Sequence, residues 1–173
     1  MSGLSGRTSM ITFVRRFLVL AALMFWQGGF TFYAAVVVPV GQHVLKSHMK
    51  QGFITREVTN YLNLAGLVAL APLTWDVPTT RDSSSRRRCA RYACLALMAL
   101  FWIVLVTLHR YLDGQLDLEL RTFRNQELFD RGHRWYLWIS TFQWAAALVY
   151  IGLTLAAWRA ADRARNDSEK VSA

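Results

Sequence analysis

Four long apolar runs, separated by arginine-rich joints, limit what this chain can fold into more than any other feature. They cover residues 17–40, 58–75, 92–112 and 135–158, which are 24, 18, 21 and 24 residues long. Crossing the hydrocarbon layer of a bilayer takes about 20 apolar helical residues. Each run is apolar around the whole helix, and such a helix needs lipid or a deep core. A chain of 173 residues has no soluble core large enough to bury four of them. The expected class is all-α: a polytopic membrane protein with four transmembrane helices in one bundle and short interfacial helices on the outer side. A transmembrane β-barrel would need alternating segments of about 10 residues, and none occurs. The expected organisation is one transmembrane domain over 1–161 and a charged cytoplasmic tail over 162–173.

The net charge of +9 could suggest nucleic acid. The basic residues instead flank the apolar runs, so the expected surroundings are a lipid bilayer and no nucleic acid. Arg7, Arg15 and Arg16 precede the first run, and five arginines lie between the second and third, three of them at 86–88. Arg159, Arg163, Arg165 and Lys170 follow the fourth. That side holds 12 of the 20 basic residues and the opposite side holds 8. Loops kept in the cytoplasm carry the Lys/Arg excess. Both termini are therefore expected in the cytoplasm, in a bacterial inner membrane. The first run is too long for the apolar region of a signal peptide and is expected to be a retained span. Cys89 and Cys94 lie on the reducing side at a spacing that places them on different helix faces, which implies neither a disulfide nor a zinc pair.

The joints carry their own expectations. Gly28 and Gly29 thin the first helix for close packing, and Pro39 marks a kink or an exit. Residues 41–51 are expected to turn at Pro39–Gly41 and lie along the interface. Gly52 would then be a left-handed stop and Thr55 the cap of the second span. Asn60, Asn63 and Pro72 make the second run the least apolar. Residues 76–91 have the composition of a flexible loop. Leu116, Leu120 and Phe123 suggest a second interfacial helix, and the tail from Asp162 is expected to fray.

His43, His48, His109 and His133 all fall on the predicted outer side. His43, His109 and His133, at one depth on three helices, could ligate a haem or a copper or zinc ion; histidines that anchor helix ends are the plainer reading. His133, Tyr136, Ser140 and Gln143 recur at helical spacing, which puts a polar stripe on one face of the fourth span. The stripe either ties this helix to its neighbours, with Gln143 reaching Gln27 or Asn63, or lines a small cleft. No serine–histidine–aspartate order, phosphate loop or HExxH motif is present, so an enzyme is not expected.

Phe129, Asp130, Arg131, Gly132 and His133, followed by Ser140 and Gln143, resemble a pattern in small four-helix membrane proteins grouped around transmembrane protein 205. Trp26-Gln27-Gly28-Gly29, leading to Phe32, Tyr33 and Pro39, is similar to the first helix of that group. More distantly these stretches resemble the copper-resistance D membrane proteins, although the copper ligand pattern is not visible. The resemblance implies a four-helix integral membrane protein in which His133 and its neighbours matter, and it supplies no substrate. The expected role is a non-enzymatic accessory or small binding protein with a membrane-protein partner or a second copy of itself. Alternatives are a haem or metal protein and a subunit of an oligomeric transporter.

Overall fold

The computed structural model describes residues 2–117 and 122–172, with side chains for residues 10–47, 49–116, 124–168 and 170. The chain is helical almost throughout. Helix α1 spans Ser2–Phe32 and passes through a π-helical turn, Tyr33–Val37, into α2, Val38–Leu45. Helix α3 spans His48–Thr79, α4 Ser85–Asp113 and α5 Gln126–Ser172. Strands β1, Leu116–Asp117, and β2, Thr122–Phe123, pair antiparallel between α4 and α5.

Three helical stretches are long and apolar enough to cross a membrane: Met10–Leu45, Ser85–Asp113 and Gln126–Ser168. Helix α3 falls outside this set, and it carries Asn60, Asn63 and Pro72. Large apolar side chains stand exposed along every long helix, among them Phe25, Leu64, Ile103 and Trp138. Water penalises such surface, whereas lipid does not. The chain is a membrane protein.

The core is narrow and built where small residues let helices approach. Val19, Leu23 and Trp26 of α1 meet Ala69, Leu73 and Val77 of α3, Met98 of α4, and Ala146, Ala147 and Tyr150 of α5. Helix α5 packs chiefly on α4, and α3 bridges α1 and α4. One close crossing in the core is at Gly66, where a Cβ would come within 2.9 Å of the Trp26 ring and 3.1 Å of Trp102. Gly28 faces open space, and a Cβ on Gly29 would meet only Leu62, at 3.8 Å.

Several joints differ from expectation. The first reversal is at Lys46–Ser47, not at Pro39–Gly41. Pro39 lacks an N–H and is accommodated by the π-turn, in which the Val38 N–H bonds back to the Tyr33 carbonyl. The helix then continues to Leu45, because α3 begins ten residues before its apolar run and offers α2 a packing partner. Lys46, at φ 47°, takes the left-handed position expected of Gly52, and Ser47 rather than Thr55 caps α3 through the Lys50 N–H. Gly52 and Thr55 both lie inside α3.

The expected loop over 76–91 shrinks to five residues between Thr79 and Ser85, because α3 runs past Trp75 and Ser84 caps α4 at the Arg87 N–H. In place of the second interfacial helix, Leu116 pairs with Phe123 in the two-stranded ladder, and Leu120 lies outside the described residues. Asn125 then caps α5 through the Leu128 N–H. The tail does not fray into a separate segment: α5 continues through Asp162 to Ser172.

Candidate functional site

The most unusual chemistry lies at the arginine-rich ends of the helices, around Asp76. Helix α3 carries Asp76 one residue beyond its apolar run, where the side chain turns inward and is fully buried. Arg91 approaches from the first turns of α4, also at 0% exposure, and its Nη2 donates to Asp76 Oδ2. Arg15 of α1 places its Nε 3.0 Å from Asp76 Oδ1, an ion-pair distance with the N–H off the line to the oxygen. The Trp158 indole N–H of α5 donates between the two carboxylate oxygens, at 3.1 and 3.2 Å. Thr80 Oγ1 donates to Oδ1 at 3.1 Å. One carboxylate thus ties together all four long helices.

The cluster is not electrically closed. Two buried guanidiniums share one carboxylate. Arg91 also donates from Nε to Thr154 Oγ1 at 3.2 Å and lies 5.9 Å from the Tyr150 ring centre, but its Nη1 has no hydrogen-bond partner. Buried charge is tolerated only when paired and hydrogen-bonded, so this excess positive charge must be held by the fold around it. Arg16 stands outside the cluster and closes α1 on α5, with a two-pronged bond to Asp162 at 2.8 and 2.7 Å and its guanidinium 5.3 Å from the Trp158 ring centre. Asp82, in the α3–α4 turn, accepts from the Arg87 guanidinium and the Ser84 N–H. Arg87 holds the Asp82 carboxyl below the usual carboxylate range.

The residues singled out from sequence lie toward the other end. His109 is bonded to Asn60 Oδ1 at 2.9 Å and sits 3.8 Å from Asp113, and its ring centre is 6.5 Å from Tyr136. His133 stacks on Phe129 at 6.0 Å, and His43 is exposed on α2. The His48 side chain lies outside the described ones. Among the described residues, no three His, Cys, Asp or Glu side chains gather as a metal ion would require. His43, His109 and His133 therefore do not gather as one such group of three.

The polar stripe faces α4. Ser140 and Gln143 are buried, and Gln143 donates to the Met98 carbonyl at 3.1 Å, not to Gln27 or Asn63. Comparable ties recur between the helices. Trp102 donates to the Asn63 carbonyl at 2.7 Å, Tyr33 to Thr55 Oγ1 at 2.9 Å, and Trp144 to Thr31 Oγ1 at 3.1 Å.

The sequence does not single out Asp76, Arg91, Arg15 or Trp158: Asp76 and Arg91 fall in the expected loop, and Arg15 and Arg91 count among the basic residues that flank the apolar runs. One signal was available: a lone carboxylate against an apolar run on the arginine-rich side. Comparison with family models, with curated proteins and with solved structures finds no match for this chain.

Proposed function

We propose that the protein is a four-span integral membrane protein that works as a non-enzymatic accessory or small binding protein. The fourth span would be α3. Its exposed Ile54, Tyr61, Leu64, Val68 and Trp75 recur along one apolar face, as lipid contact requires. Its Asn60 side chain is engaged with His109 of α4 and its Asn63 backbone carbonyl accepts from Trp102, ties of the kind that let a less apolar helix persist in a membrane.

The observation that carries the functional reading is where the polar side chains point. Gln143, Trp102, His109, Tyr33 and Trp144 each bond to a neighbouring helix rather than into a shared channel. Intramembrane polar residues of a transport path face a common cavity; these serve as ties between helices. The exposed surface of α5 is left to apolar rings, with Trp138 and Phe142 stacked at 6.2 Å. That face suits a membrane-protein partner or a second copy of the chain. The basic-residue excess supports a bacterial inner membrane with both termini in the cytoplasm, and the resemblance to the transmembrane protein 205 group agrees with four helices.

Two measurements test this. A reporter fused to the C-terminus should read as cytoplasmic; a reading from the far side would reverse the topology. A photo-crosslinker at Trp138 in living cells should trap one protein species in stoichiometric amount. Crosslinks to lipid alone, with a monomer in detergent, would end the accessory reading.

A further inference from the structure

Beside the Asp76 cluster, a groove of about 390 Å³ opens where the first turns of α4 meet α5 across the end of its apolar run. Arg87, Arg159 and Arg163 form its basic side, and Leu155, Ala156 and Ala160 form its apolar side. Arg159 and Arg163 are one helical turn apart and so share a face. The nearby carboxylates are already engaged: Asp162 with Arg16, Asp82 with Arg87, and Asp76 with Arg15 and Arg91. Among the described side chains, Arg159 and Arg163 have no acidic partner. Arg91, one turn along α4 from Arg87, adds buried positive charge with an unpartnered Nη1. Six arginines in this region thus face three aspartates.

From this geometry we infer that the groove binds an anionic phospholipid, with the headgroup phosphate on Arg159 and Arg163 and an acyl chain along Leu155 and Ala156. The excess of positive charge favours an anion, and the apolar half of the groove selects an anion that carries a hydrocarbon chain. Basic pockets between membrane helices on the cytoplasmic side bind acidic lipid headgroups through this combination. Free phosphate would use the arginines and leave the apolar half unfilled. The inference rests on the four-span reading only in placing this end of the protein at the level of the headgroups.

The test uses the full chain reconstituted in vesicles with equal phosphatidylglycerol and phosphatidylcholine, followed by native mass spectrometry of the lipids that remain bound. The wild-type protein should retain phosphatidylglycerol preferentially. R159Q combined with R163Q should reduce that retention about tenfold or more, since each basic residue at a membrane surface contributes on the order of 1 kcal/mol. R86Q combined with R88Q removes the same charge outside the groove and should reduce retention clearly less than the groove pair does. Equal losses in the two variants would show general surface attraction and overturn the site. Displacement of the lipid by excess inorganic phosphate would overturn the lipid as occupant. The C-terminal reporter separates the two readings. Lost lipid preference with a cytoplasmic C-terminus defeats this inference alone, whereas preserved preference with an external C-terminus defeats the topology.

Discussion

Both ends of the helices hold charged clusters of similar composition, yet they are built on different physics. At one end, Asp76 and Arg91 are removed from water entirely, with Arg15 nearly so. At the other, Arg56 donates to Asp113 at 3.0 Å with about a quarter of each side chain still exposed, 25% and 27%. Desolvating an ion costs several kcal/mol, which its partners must recover. A partly exposed pair avoids most of that cost and gains correspondingly little. The Arg56–Asp113 cluster therefore fastens α3 to α4 as surface pairs do, while the Asp76 cluster makes the arrangement of all four long helices depend on one carboxylate.

The sharpest way to break this comparison is to neutralise each carboxylate in turn. Asp76→Asn should destabilise the protein by about 3–5 kcal/mol, because two buried guanidiniums lose their counter-charge. Asp113→Asn should cost no more than about 1 kcal/mol. Thermal unfolding in mild detergent measures both, and equal shifts would mean that burial at Asp76 adds nothing to the strength of its ion pairs.

Packing in the middle of the molecule offers a scale between these values. Gly66→Leu would push into the rings of Trp26 and Trp102, and overpacking of this kind costs about 1–3 kcal/mol. Gly28→Leu, facing open space, should be nearly neutral in the same assay. A larger loss at Gly28 than at Gly66 would put the close crossing in the wrong place.

Acid should act on the arginine-rich end through Asp82. Its folded pKa is depressed by the hydrogen bond from Arg87, so its contribution is fully present above the unfolded value of about 3.9. That contribution is lost as pH falls through the lower folded value. Asp82→Asn should therefore reduce stability at neutral pH and flatten the loss on acidification below about pH 4. An acid limb identical to that of the wild type would remove Asp82 from the account.

The smallest effect belongs at the turn between α2 and α3. Lys46 holds a left-handed conformation that costs a non-glycine residue about 1–2 kcal/mol. Replacement by glycine relieves that strain but adds unfolded-state freedom worth about 0.5–1 kcal/mol. Lys46→Gly should therefore raise stability slightly, by about 0.5 kcal/mol. A clear drop in the unfolding midpoint would show that the Lys46 side chain contributes something the turn geometry does not.

Membrane class and helix content were legible in the sequence because both depend on local properties. A run such as 92–112 or 135–158 is apolar at every position, so it favours lipid whatever its neighbours do. The turns were less legible. Whether the chain reverses at Gly41 or Lys46 depends on how far α3 extends toward it, and a residue-by-residue reading of either segment does not contain that information. Residues 113–134 illustrate the same point: Leu116 and Phe123 suit a helix by spacing, yet the ladder and the Asn125 cap leave no room for one.

The candidate site was the least legible part. Asp76, Arg15, Arg91 and Trp158 are scattered over more than 140 positions, and each has an ordinary local explanation. Asp76 ends an apolar run, Arg15 anchors a span, and Trp158 sits where a belt tryptophan would. Sequence by itself determined that these helices would enter a membrane and that the basic residues would gather at one set of ends, because hydrophobicity and charge add up along the chain. Only the tertiary structure decided that Asp76 would turn inward and draw Arg15, Arg91 and Trp158 to itself. An ion pair between helices is a property of distance and burial, and both are set by packing.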